Sequence, residues 1–163
     1  MIQLTPEQIA EFWHRSYATV DGLWFIKVEG RCGFDMALDI DNEVWKVLPK
    51  IQARLLKSMG KAEGGIDGLL ECLATKLNLE GFAFKAEKTG NGFKVIIAEC
   101  PWHDLMVKSG REKLSGKVGT LICNTEYTAW AAEFGKDIRF ELGEQICEGH
   151  QYCVLRFSSD RSE

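Results

Sequence analysis

No apolar run in this 163-residue chain approaches the ~20 residues that cross a bilayer, and Met1-Ile2-Gln3-Leu4 leads into an acidic, helix-like segment rather than a signal-peptide core. Basic residues are not gathered into a stripe. With a formal net charge of -4, the electrostatic footprint of a nucleic-acid binder is missing. The chain has no Gly-x-Gly-x-x-Gly and no His-Glu-x-x-His. Ser115-Gly116-Lys117-Val118 falls short of a phosphate-binding loop, because its leading spacer is one residue too long and Val118 has no hydroxyl for magnesium. These absences predict a soluble cytoplasmic protein with neither membrane nor nucleic acid as partner. Without a secretory signal, its six cysteines read as thiols or metal ligands rather than disulfides.

What is present is a globular balance, 45% apolar and 27% charged, in a length that suits one domain over residues 1–163. Thr5-Pro6-Glu7-Gln8 opens a helix over 6–20 with the pattern of a capping box, and Ile9, Phe12, Trp13, Ser16, Tyr17 and Val20 follow at helical spacing. Asp21-Gly22 marks a break, after which 21–32 reads as a second short helix. Apolar positions from Met36 to Leu56 carry a long helix over 34–59, broken near Asp39 or kinked at Pro49, and Ile66 to Leu77 forms another. The period changes to two at Phe82. Residues 82–87 and 93–99 flank the turn Thr89-Gly90-Asn91-Gly92 as a hairpin. A short helix at 103–109, a long one at 118–134, strands at 138–146 and 152–157 and a polar tail from Ser158 complete the order. The expected fold is α+β: a mainly helical part, 1–80, packed on a four-stranded antiparallel sheet within 81–158, with a long helix between the two hairpins.

Cys147 and Cys153 stand on the two sides of one tight loop, so the chain reversal brings their sulfurs within reach of a shared ion. Cys123 lies at the front of the 118–134 helix. Cys100 ends a strand within Cys100-Pro101-Trp102-His103, a Cys-x-x-His spacing that also chelates. Four thiolates suit zinc in a closed, structural tetrahedron, and they equally suit an iron–sulfur cluster. Cys32 and Cys72 read as small buried hydrophobes. His103 is an alternative metal ligand, or the base of a Cys–His nucleophile with Cys100. His14 and Asp21 are candidates to face a pocket, and His150 reads as an exposed loop residue.

The closing stretch Glu144-Gln145-Ile146-Cys147-Glu148-Gly149-His150-Gln151-Tyr152-Cys153-Val154-Leu155-Arg156-Phe157 resembles the final motif of the 4-vinyl reductase domain family. That family includes the sensor domains of phenol-responsive transcription activators, and its fold is shared with subunits of vesicle-tethering complexes. The resemblance implies zinc held by Cys123, Glu144, Cys147 and Cys153, so that Glu144 competes with Cys100 for the fourth position. The loop has Gly149-His150 where the family commonly has Gly-Asp, and it is somewhat shorter. The same ending is similar to that of L-2-amino-thiazoline-4-carboxylic acid hydrolases, which would make the chain a hydrolase.

Five tryptophans are many for this length, and Trp13 and Trp130, with Tyr17, are the candidate contacts for a small apolar or aromatic ligand. The expectation is therefore a metal-binding, small-molecule-binding or sensing domain with a structural zinc on Cys100, Cys123, Cys147 and Cys153. A hydrolase and an iron–sulfur redox protein are the alternatives. The helical half is a candidate homodimer face, which an exposed apolar stripe within 34–59 would support.

Overall fold

Register explains the four-stranded sheet. In a computed structural model that describes residues 1–160, β1 (Ala83–Thr89) and β2 (Gly92–Glu99) form the first hairpin. β3 (Ile138–Leu142) and β4 (Cys153–Ser159) form the second, and β2 joins β4, so the order is β1-β2-β4-β3 with every pair antiparallel. Phe93, Val95 and Ile97 alternate onto one face of β2, and Leu155 and Phe157 do the same on β4. Phe93 pairs with Phe157, their rings stacked 4.8 Å apart. Gly92 is required beside them, since a Cβ there would stand 1.9 Å from the Phe157 carbonyl oxygen.

Chain contacts gather residues into two compact units, Met1–Glu43 and Val44–Glu163. In the first, α1 (Pro6–Cys32) runs unbroken through Asp21-Gly22. Its start is as expected: Gln8 N–H donates to Thr5 Oγ1 while Thr5 N–H donates to Gln8 Oε1. The expected break at Asp21 is absent because an interior glycine costs a helix only about 1 kcal/mol, less than two new uncapped ends. Gly33, at φ 84, ends α1 by donating its N–H to Glu29 O, and α2 (Phe34–Trp45) begins at once.

The 34–59 segment is two helices rather than one. α2 stops at Trp45 and α3 (Leu48–Gly60) follows, so the break falls at Lys46-Val47 and not at Asp39. Pro49 sits in the first turn of α3, where no partner is needed for its missing N–H, and it starts a helix instead of kinking one.

In the second unit α4 (Gly65–Leu79), α3 and α6 (Glu112–Phe134) supply the helical side of the core. Ala53, Leu69, Leu73, Leu77, Tyr127, Trp130 and Phe134 meet the sheet's apolar face there, each large side chain contributing about 1.5–3 kcal/mol by burial. α6 begins six residues before the expected start, extended by a mostly polar first turn that apolar spacing does not register, and α5 (Pro101–Lys108) begins two before, with Pro101 at its first position. β3 is shorter than expected. After Leu142 the chain leaves the sheet and makes a 3-10 turn at Ile146–Glu148 before returning as β4. The expected polar tail gives Ser158 and Ser159 to β4, and its end, 161–163, lies outside the described residues.

Candidate functional site

Cys100, Cys123, Cys147 and Cys153 belong to four different pieces of chain. Cys100 follows β2 and caps α5, Cys123 is on α6, Cys147 is in the 3-10 turn and Cys153 opens β4. Strand pairing positions Cys153: it sits opposite Ile97 on the same side of the sheet as buried Leu155 and Phe157, at the rim of the core. The 3-10 turn then lies along α6. Gln145 Nε2 donates to Thr120 Oγ1 at 3.0 Å and Thr120 Oγ1 donates to Glu148 Oε1 at 3.1 Å.

Gly116 and Gly119 make that approach possible. A Cβ on Gly119 would stand 2.7 Å from Cys147 Sγ, and one on Gly116 would stand 3.1 Å from Cys147 O. Cys123 is one turn beyond Gly119 on the same helical face. Across the chain reversal, Ile146 N–H donates to Cys153 Sγ at 3.2 Å. Gly149, at φ 91, provides the left-handed turn that lets Gly149 N–H and His150 N–H donate back to Ile146 O and Gln145 O.

The four thiols lie within electrostatic reach of one another. Burial pushes Cys123 well above the ordinary thiol value, and charge on Glu126, Cys100, Cys153 and Cys147 would push it further. Burial also takes Cys100 up to about 12, against the opposing amides of His103 and Trp102, and Cys147 to about 11. Cys153 is raised by burial and drawn back by the Ile146 amide. Among the described residues no three His, Cys, Asp or Glu side chains are drawn together as a closed metal-binding group. The sulfurs share a neighbourhood without forming a tetrahedron.

Glu144 is elsewhere. Exposed at the surface, it pairs with Arg156 Nη2 at 3.3 Å, and its own backbone amide and Arg156 hold its carboxyl below the ordinary range. His103 is half-buried on α5 and its Nδ1 has no hydrogen-bond partner, while His150 is exposed as expected. Cys72 is buried as expected, but Cys32, at the end of α1, is exposed. Its helix position has no core to enter.

The aromatic candidates divide between the two units. Trp13 is exposed on α1 and Tyr17 half-buried one turn on, near half-buried His14 and Asp21, whose carboxyl burial pushes up. Trp130 is wholly buried in the second unit, its ring parallel to Phe134 at 6.2 Å and its Nε1 without a hydrogen-bond partner. Trp45 and Trp102 meet edge to face at 5.9 Å, and Trp24 is exposed.

One buried polar group escaped the sequence reading. Lys76 on α4 pairs with Glu80 at 2.9 Å and with Glu126 on α6, all three being nearly inaccessible, and its ammonium lies over the rings of Phe82 and Tyr127. Burial alone would lower the Lys76 pKa, but Glu126 and Glu80 outweigh it and hold the ammonium charged. Burial raises Glu126 against the pull of Lys76. The signal was available: Glu126 falls one turn from Cys123 and one from Trp130, on the apolar stripe of α6, where an acid needs a partner.

The class that emerges is an α+β domain with a thiol cluster where the second hairpin meets its long helix, and no described helix is long and apolar enough to cross a membrane. The chain belongs to a family of unknown function (DUF6125), whose model matches residues 5–149. That match takes in Cys100, Cys123 and Cys147 and ends before Cys153. No curated protein matches the chain. Among solved structures it is similar to the phenol-responsive sensory domain of the transcription activator PoxR with phenol, at 16% identity and a TM-score of 0.49, over 98% of this chain and 76% of that one.

Proposed function

We propose that this is a small-molecule-binding or sensing domain of the cytoplasm, fastened by a structural zinc on Cys100, Cys123, Cys147 and Cys153. The observation that carries it is that thiols from four separate elements share one neighbourhood where the second hairpin meets α6. The donor set fits a borderline-soft ion: all four are sulfur, Gly119 clears space for Cys147, and the Ile146 amide is already directed at the Cys153 sulfur. When bound, the ion would supply the positive charge that lets buried thiols deprotonate. It would tie the second hairpin and the β2–α5 junction to α6. A site filled by protein groups leaves no open position for substrate, which favours a structural part over a catalytic one.

The ligand in this reading is a small apolar or aromatic molecule, and the domain works as a homodimer. The resemblance of residues 144–157 to the closing motif of the 4-vinyl reductase family supports the sensing role. A hydrolase, or a redox protein with an iron–sulfur cluster, is the competing reading. Metal analysis and the absorption spectrum of anaerobically purified protein separate them. Colourless protein with about one zinc per chain agrees with the proposal, brown protein with iron and labile sulfide replaces it with the redox reading, and metal-free protein removes both. For the ligand, thermal melting against a panel of small aromatic molecules should show a concentration-dependent rise for at least one.

A further inference from the structure

α1 spans 27 residues and none of them is buried. Of its half-covered positions, His14, Tyr17, Asp21, Phe25 and Val28 lie along one face, and Ser16, Ala18 and Glu29 lie off its centre. On another, Ile9, Phe12, Trp13, Val20, Leu23 and Trp24 are exposed by 44–67%. Ile9, Trp13, Ser16, Val20, Leu23 and Lys27 are spaced alternately four and three residues apart, the repeat of a helix–helix seam, and Phe12 and Trp24 flank it. Acidic residues stay off this stripe: Glu7, Glu11, Asp21 and Glu29 project from the other side of the helix.

We infer that this stripe packs against the same stripe of a second copy of the chain, antiparallel, about a two-fold axis at the height of Ala18. The inference rests on the homodimer part of the reading above and adds its face and register. Self-complementarity is the reason. Around residue 18 the stripe is palindromic, so a two-fold axis there sets Ser16 across from Val20, Trp13 from Leu23, Phe12 from Trp24 and Ile9 from the stem of Lys27. Each large residue of the inner layers meets an apolar partner, with small Ser16 where the helices come closest.

Electrostatics selects the direction. Antiparallel pairing opposes the two helix dipoles, setting the positive N-terminal end of each α1 beside the negative C-terminal end of the other. Parallel pairing would instead stack Lys27 on Lys27. The area is adequate as well. Three aromatics of ~150–250 Å² each, about three-fifths exposed, contribute roughly 350 Å² per partner before the aliphatic residues are added. That is nearly half of the ~800 Å² per partner of a stable interface.

The test uses the full chain. Light scattering should return twice the 18.4 kDa chain mass, and Val20→Glu, an exposed change that leaves the far-ultraviolet circular dichroism unaltered, should weaken association at least a hundredfold. In a Cys32→Ser background, Ile9→Cys and Lys27→Cys chains mixed together should form a disulfide on oxidation, whereas Ile9→Cys alone should not. Its two copies would lie about 27 Å apart along the axis at 1.5 Å per residue, far beyond disulfide reach. A monomer at tens of micromolar overturns both the homodimer reading and this face. A dimer that ignores Val20→Glu, or that cross-links through Ile9→Cys alone, overturns this face while the homodimer reading stands.

Discussion

Cys147 Sγ occupies the space that a Cβ on Gly119 would need, 2.7 Å from its ideal position. Gly119 lies within a 23-residue helix, where glycine is unfavourable by about 1 kcal/mol relative to alanine. Close packing of the 146–148 turn on α6 is what its retention brings. Gly119→Ala should therefore lose stability, because overpacking costs about 1–3 kcal/mol and exceeds the helix-propensity gain. Urea denaturation measures the balance. A variant as stable as the parent, with metal content unchanged, would show that the turn moves aside freely.

The fourth position of the proposed zinc site is decided by two single variants. Cys100 neighbours the other sulfurs, while Glu144 faces solvent and pairs with Arg156. Cys100→Ser should lower zinc retained through dialysis against a chelator by ten- to a hundredfold, and Glu144→Gln should leave it unchanged. The reverse result would move the site toward the surface and out of the core.

Lys76 neutralises two carboxylates inside the core. Lys76→Met strands Glu80 and Glu126 without a cation and should cost about 3–5 kcal/mol, whereas Lys76→Met with Glu80→Gln and Glu126→Gln should recover much of that loss. The pH dependence follows from the raised Lys76 pKa. Its contribution is fully present below the unfolded value of ~10.4 and is lost as pH rises through the higher folded one. In the parent, alkaline unfolding should therefore be steeper than in the triple variant above about pH 10.5. Superimposed curves would remove the triad from the stability of the core.

On the acid side the pair to watch is Glu133 with Arg54, bonded twice at 2.8 Å between α6 and α3. Arg54 lowers the Glu133 pKa, so this contribution is present above the ordinary carboxylate value and is lost as pH falls through the lower folded one. Arg54 is largely exposed, and solvent screening limits the pair to about 0.2–1 kcal/mol. Glu133→Gln should flatten the acid limb of a thermal-stability profile by that amount. An unchanged limb would assign it to other carboxylates.

Local chemistry accounts for what was legible in advance. Thr5 to Gln8 specified a helix start, Thr89 to Gly92 a hairpin turn, and Cys147 and Cys153 their own proximity, because each involves residues only a few positions apart. Glycine at 22 and proline at 49 were misread for one reason: whether such a residue breaks, kinks or starts a helix depends on what its neighbours would lose or keep.

The sequence by itself determined the α+β order, the alternating faces of the strands and the chain reversal that sets two thiols side by side. Only the tertiary structure decided that Cys100 joins them while Glu144 turns to Arg156, that Gly119 makes room for a sulfur 28 positions later in the chain, and that Lys76 meets Glu126 across two helices. These are contacts between distant segments, and their energies depend on burial and on a missing side chain, neither of which any short window of residues contains.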